Sequence, residues 1–187
     1  LLKMRAGEPS SGSSAGNGAS PERTETPNAG FTLRPARPAD VTFLVELSRR
    51  VFLEFGSYDR YIQEWFGEPI VSTFVAEVEG APAGFVMLAI HPASPAADAV
   101  GEIISIAVAP EHRSKGIGGA LLERAIAQAR ESSLGIREIR LSVAEGNARA
   151  QRMFARRAFR IGHVVGVYPA GQRALFMTKA LKKEGKS

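Results

Sequence analysis

The sequence runs to 187 residues, 44% of them hydrophobic, with a formal charge of +5 and no cysteine. That length suits one domain with a real core, and the missing thiols exclude disulfides, thiolate metal sites and an acyl-cysteine intermediate while fitting a reducing compartment. No apolar run approaches the roughly 18 uncharged residues that cross a bilayer, so a soluble, cytoplasmic protein without a membrane partner is expected.

Residues 1–30 are rich in Ser, Gly, Ala and Pro with almost nothing large and apolar after Met4, and read as a disordered tail. A single domain is expected over 31–181, then a frayed basic tail at 182–187. From Phe31 a short strand passes through a proline-containing turn into Phe43, Leu44, Leu47 and Val51 at helical spacing, with Asp40 as the expected N-cap. Tyr61, Ile62, Trp65 and Phe66 repeat as a second short helix whose aromatic face serves either the core or one wall of a substrate cleft.

The runs STFVAEVEG and GFVMLAIHP, separated by turn formers from Gly80 to Gly84, read as a hairpin. A loop rich in Pro and Ala, His91 to Val100, leads to Glu102–Val108, apolar enough to predict a strand buried on both faces. After a glycine-rich turn, Leu121, Leu122, Ala125, Ile126 and Ala129 form one stripe of an amphipathic helix. EIRLSVAEG follows as a strand. Asn147 opens a helix with Ala150, Met153, Phe154 and Ala158 on its apolar side, and RIGHVVGVYP and RALFMTKAL finish as strands. The order β-α-α-β-β-β-α-β-α-β-β describes a mixed α/β sheet flanked by helices. His91, His112 and His163 lie too far apart in sequence for a local metal motif.

The turn itself reads IAVAPEHRSKGIGGALL from Ile106 to Leu122. A strand entering a helix through small residues leaves the first helical amides unpaired and adds the positive end of the helix dipole, so such an end binds anions. Gly116, Gly118 and Gly119 present no side chain to obstruct a phosphate, and Arg113 and Lys115 add charge at the rim. A nucleoside-triphosphate loop fails here because Lys115 precedes the glycines instead of following them. A dinucleotide fingerprint fails because its third glycine would fall at Leu121.

Arg113, Gly116 and Gly118 satisfy Arg-x-x-Gly-x-Gly, and with the preceding IAVAPEH and the later Asn-x-x-Ala helix the segment resembles the acyl-CoA-binding motif of the GNAT superfamily of N-acetyltransferases. The element order from Phe31 to Leu181 is similar to that fold: a mixed, mostly antiparallel sheet of about six to seven strands with about four helices. The resemblance implies acetyl-CoA as acyl donor and an amine-bearing small molecule or protein as acceptor. It places the diphosphate on backbone N–H groups of Arg113, Ser114, Lys115, Gly116, Ile117, Gly118 and Gly119, and the pantetheine arm beside Ile106, Ala107 and Val108, with Asn147 touching the same arm.

For chemistry, the resemblance implies Glu102 as the base, acting directly or through water, and the Val108 amide as oxyanion donor. The sequence departs from the family where many members carry a tyrosine acid: Phe154 stands there, with Ala158 in place of a following glycine. The thiol then leaves unaided, or Tyr168 or Ser142 supplies the proton, or the chain is a non-catalytic acyl-CoA-binding module. Arg149, Arg152 and Arg156 share a helix side, with Arg157 and Arg160 beyond. They form a solvated face, or meet the 3′-phosphate of the nucleotide, an acidic substrate or nucleic acid, the last being poorly supported without interleaved aromatics. The acceptor, and whether the protein is a homodimer, are open at this stage.

Overall fold

A computed structural model describes residues 30–53, 58–94 and 97–181, so both expected tails, apart from Gly30, lie outside the described residues. The elements run β1 (Thr32–Pro35), α1 (Val41–Phe52), α2 (Tyr58–Phe66), β2 (Val71–Val78), β3 (Ala81–His91), β4 (Val100–Val108), α3 (Ile117–Glu131), β5 (Glu138–Ala144), α4 (Ala148–Ala155), β6 (Arg160–Val167) and β7 (Arg173–Ala180). They build one sheet in the order β1-β2-β3-β4-β5-β7-β6. Every neighbouring pair is antiparallel except β4 with β5.

Period-2 apolar residues on β2 to β4 send side chains to both faces, and each face acquires helical cover. On one, the stripe Leu121, Leu122, Ala125, Ile126 and Ala129 of α3 is fully buried against Val86, Leu88, Ile139 and Leu141, with Phe154 of α4 in the same cluster. On the other, Leu44 and Leu47 of α1 and Ile62 of α2 close over Val75, Phe85 and Met87. Burying a side chain of this size contributes about 1.5–3 kcal/mol, so the two clusters fix the helices to the sheet. Trp65 and Phe66 pack against the second cluster while Tyr61, stacked on Trp65, stays 45% exposed.

Three local expectations change. The strand β4 is not buried on both faces; every second residue stays half exposed, because the sheet opens beside it as described below. His91 closes β3 instead of opening a loop. Asp40 does precede α1, but its carboxylate accepts from Arg34 Nη1 at 2.7 Å and Nη2 at 2.9 Å and from the Arg37 amide at 2.6 Å, not from the first turn of the helix. A guanidinium fork offers two charge-assisted bonds where a helix start offers weaker single ones, so the fork prevails.

Arg34 also meets Glu77 at 2.7 Å, tying β1, β2 and the entry to α1 together. Its hydrogen bonds hold the Asp40 carboxyl below the usual carboxylate range, against a smaller opposing push from burial. The folded form therefore binds this proton more weakly than the unfolded chain. The stability it contributes is present above the unfolded value of roughly 3.9 and is lost as pH falls through the lower folded value. Asp40→Asn is expected to lower unfolding free energy by about 2 kcal/mol at neutral pH. In denaturant titrations the gap from the parent should then narrow below roughly pH 4.

Candidate functional site

The site begins where the sheet comes apart. Only Gly101, Glu102 and Ile103 of β4 pair with β5, opposite Ile139, Arg140 and Leu141. Beyond Ile103 the two strands diverge, next to a bulge in β4 where the register against β3 shifts between Met87 and Leu88. The Ala109 amide donates to Ala83 O at 2.9 Å, which makes Gly84↔Val108, and by alternation Val86↔Ile106, non-hydrogen-bonded pairs of the antiparallel ladder. The N–H and C=O groups of Ile106 and Val108 therefore point away from β3 and into the wedge. There the Val108 carbonyl accepts from Arg113 Nε at 3.1 Å.

The wedge holds a gap of about 110 Å³ and continues into a cleft of about 900 Å³ that runs over the start of α3. The chain reaches α3 through Ser114 and Gly116, with φ of +67° and +86°. The first bond at this end is Ala120 N to Gly116 O, 3.1 Å, so the amides of Ile117, Gly118 and Gly119 have no partner within the helix. These three residues line the cleft. Their glycines serve packing as well as access: a Cβ on Gly118 would stand 3.1 Å from Met153 Sδ, and one on Gly119 would collide with the Arg157 guanidinium.

Of the residues expected at the anion, Arg113 and Ser114 line the cleft, Ser114 Oγ accepting from Arg149 Nη2 at 3.2 Å. Lys115 does not; its Nζ lies 3.3 Å from His112 Nδ1. The left-handed Ser114 redirects the chain just before it. Arg149 and Arg152 of α4 and Arg156 just past its end line the cleft with Arg157, which is 3.0 Å from Glu123, and no carboxylate is among the described residues that line it. The surplus of charge found in the sequence is thus concentrated in one hollow.

Asn147 borders both the cleft and the gap. Its Oδ1 caps α4 by accepting from Ala150 N at 3.1 Å, which leaves the side-chain NH₂ as the group it can offer. Phe154, 3% exposed and 5.8 Å from the Phe159 ring, forms part of the wall of the gap. Tyr168, from the turn joining β6 and β7, and Phe52, from the end of α1, also line it. So does Ser105, missed from sequence. It is 6% exposed with no hydrogen-bond partner for Oγ, and its only sequence signal was one hydroxyl inside an apolar strand.

Glu102 lies outside both linings, one residue beyond Ile103, which lines the gap. Apolar neighbours in sequence suggested apolar surroundings, but strand register sets charged groups on either side. Arg140 Nε and Nη2 donate to its Oε2 at 3.1 and 2.9 Å, and His91 Nε2 stands 3.3 Å from the same oxygen. The second oxygen, Oε1, takes part in none of these contacts.

The sequence matches the acetyltransferase (GNAT) family over residues 41–159. A curated relative, an N-alpha-acetyltransferase of Saccharolobus solfataricus, is 30% identical over 158 residues, spanning 81% of this chain and 93% of the relative. Solved structures share the fold. Ard1 from Thermoplasma volcanium superposes with a TM-score of 0.70 at 23% identity, covering 82% of this chain and 99% of the other. NAA60 of Arabidopsis thaliana, crystallised with acetyl-CoA, gives 0.68 at 18%, covering 81% and 98%.

Helix α4 ends at Ala155, short of Ala158, which is exposed at φ +62°. That is the left-handed region, where a Cβ costs roughly 1–2 kcal/mol, and it accounts for the glycine expected at this position. Ala158→Gly should raise stability by about 1 kcal/mol, read as an increase in Tm, with no change in the cleft.

Proposed function

The chain belongs to the acetyltransferase (GNAT) family and moves an acetyl group from acetyl-CoA to an amine, and we propose that the amine is the free α-amino group of a polypeptide. One observation carries the donor side of this reading. The wedge that bares the Ile106 and Val108 backbone runs without a break into the unpaired amides at the start of α3. An extended arm ending in a diphosphate has the same layout: amide groups along its length, charge at one end.

In this reading the Ile117, Gly118 and Gly119 amides meet the diphosphate, helped by Arg113 and Ser114. Arg149, Arg152 and Arg156 supply charge to the rest of the nucleotide. The donor supplies an activated acyl carbon. Val108, six residues along β4 from Glu102, adjoins the turn that meets the diphosphate, so its N–H bonds the arm and not the acyl oxygen. The acyl group lies further along the wedge towards Glu102, while the Asn147 amide steadies the arm.

The acceptor side follows from which face is open. On one face, α3 and α4 lie over the sheet. On the other, α1 packs on β3 and β4 and α2 on β2, so the approach beside β5 lies between Phe52 and Tyr168. A protonated amine cannot attack, and an α-amino group, with a pKa near 7.7–8.0, loses its proton far more easily than a lysine near 10.4. Glu102 lies outside the gap, so it takes that proton through a water, using Oε1. To Tyr168, which lines the gap, we assign the return of a proton to the leaving thiolate, a role the buried Phe154 ring cannot fill. The assignment of the acceptor leans on the curated N-alpha-acetyltransferase relative, which matches along nearly its whole length.

Thiol release from acetyl-CoA, measured with short peptides bearing a free α-amino group and with the same peptides Nα-blocked but containing lysine, tests the reading. Turnover is expected with the first set and less than about a tenth of it with the second. Equal or greater turnover with blocked lysine peptides would replace the proposed acceptor.

A further inference from the structure

Glu102 does not stand alone at the end of the wedge. The pairs Ala89↔Glu102 and Glu102↔Arg140 lay β3, β4 and β5 side by side at this level. His91 and Ala89, two apart on β3, point to the same face, which brings the imidazole against the carboxylate. The result is His91, Glu102 and Arg140 in a row across three strands, with both outer groups directed at Oε2.

The His91 contact is incomplete in an informative way. Nε2 is buried and makes no hydrogen bond, although Oε2 is 3.3 Å away. At that distance a small turn of the ring brings Nε2 and Oε2 into line, which makes room for one shared proton. Arg140 cannot fill that space, because its donors already reach Oε2 from the other strand. Nor does the β2 side offer a titratable group: at this end it presents Ile70 and Val71, the Ile70 carbonyl being taken by the Ile90 amide. Among the described residues, the charged groups that meet the ring are Glu102 and, through it, Arg140.

We infer that His91 is the second half of the proton acceptor: it and Glu102 work as one unit that takes up the proton released when the amine attacks, with Arg140 holding the shared oxygen in place. This rests on the reading of Glu102 given above. The balance is simple. The amine nitrogen adds to the acyl carbon as the carbonyl pair moves to oxygen. That pair's return breaks the carbon–sulfur bond with the electron pair leaving on sulfur, and the proton lost by nitrogen passes through water to the carboxylate–imidazole pair. After the products leave, the ring, 19% exposed, returns it to solvent. His91 touches neither substrate, so its role is to receive and hold a proton for Glu102.

The test uses the full chain, acetyl-CoA and the peptide acceptor of the thiol-release assay. Glu102→Gln, His91→Gln and His91→Ala are compared between about pH 6 and 9, after thermal melts show that each is folded. Glutamine keeps a polar group of similar reach in the row. The expected result for His91→Gln is an unchanged KM for acetyl-CoA and a kcat lowered about tenfold, less than the roughly 10²–10⁴ lost with a direct base. Its pH–rate profile should also change shape, and added imidazole should restore part of the rate of His91→Ala. A uniform loss at every pH with no response to imidazole would mean that His91 only props up the strand ends, which overturns the inference. So would an unaltered His91→Gln alongside an impaired Glu102→Gln, which leaves the Glu102 reading standing. Glu102→Gln at the parent rate overturns both.

Discussion

Everything at this site depends on two parallel strands failing to stay together. β4 and β5 pair through Gly101, Glu102 and Ile103 and then part. Each backbone group left without a partner away from water would cost about 1–3 kcal/mol, so a closed sheet would be the more stable choice if stability were the only requirement. The wedge keeps those groups wet, and the surrounding layers hold it open. On one side the edge of β4 remains fixed to β3 along its length. On the other, β5 is fixed to β7, and α4 fills the base of the gap with Phe154. What is offered to a ligand is therefore a strand edge of fixed geometry, preorganised by the strands and helix packed around it.

Charge is divided along the same wedge. The broad end, over the start of α3, has unpaired amides and several guanidiniums, with no carboxylate among the described lining residues. The narrow end, where the strands still touch, has a carboxylate enclosed by an arginine and a histidine. An extended polyanion with an activated acyl group at its far tip suits the first end for binding and the second for chemistry. Between them the Ile106 and Val108 backbone measures out the length. In the proposed reading the two faces of the sheet divide the reactants, α3 and α4 lying on one while the acceptor comes to the gap that Phe52 and Tyr168 line.

The order of elements and the glycine turn were readable because both are local. Helical and strand periodicity spans a few residues, and a strand running into a helix through small residues has a chemistry of its own. Asp40 misled because its capping signal is local while its partner, Arg34, arrives across a turn with a stronger bond. Lys115 misled because a charge near a glycine turn carries no direction until Ser114 is seen to be left-handed. The row of His91, Glu102 and Arg140 could not be read at all: its members lie 11 and 38 positions apart, and only the register of three strands brings them to one oxygen. Ser105 left a faint trace, a lone hydroxyl in an apolar run, that acquires meaning only once the gap beside it is known.

Amide hydrogen exchange on the full chain, with and without saturating acetyl-CoA, reaches the central claim most directly. The Ala107 amide belongs to a hydrogen-bonded pair with Phe85 and serves as the internal control, protected throughout. The account predicts that the Ile106 and Val108 amides and those of Ile117, Gly118 and Gly119 slow by about tenfold or more when the donor is present. Exchange at Val108 and Gly118 that is the same with and without the donor would contradict it.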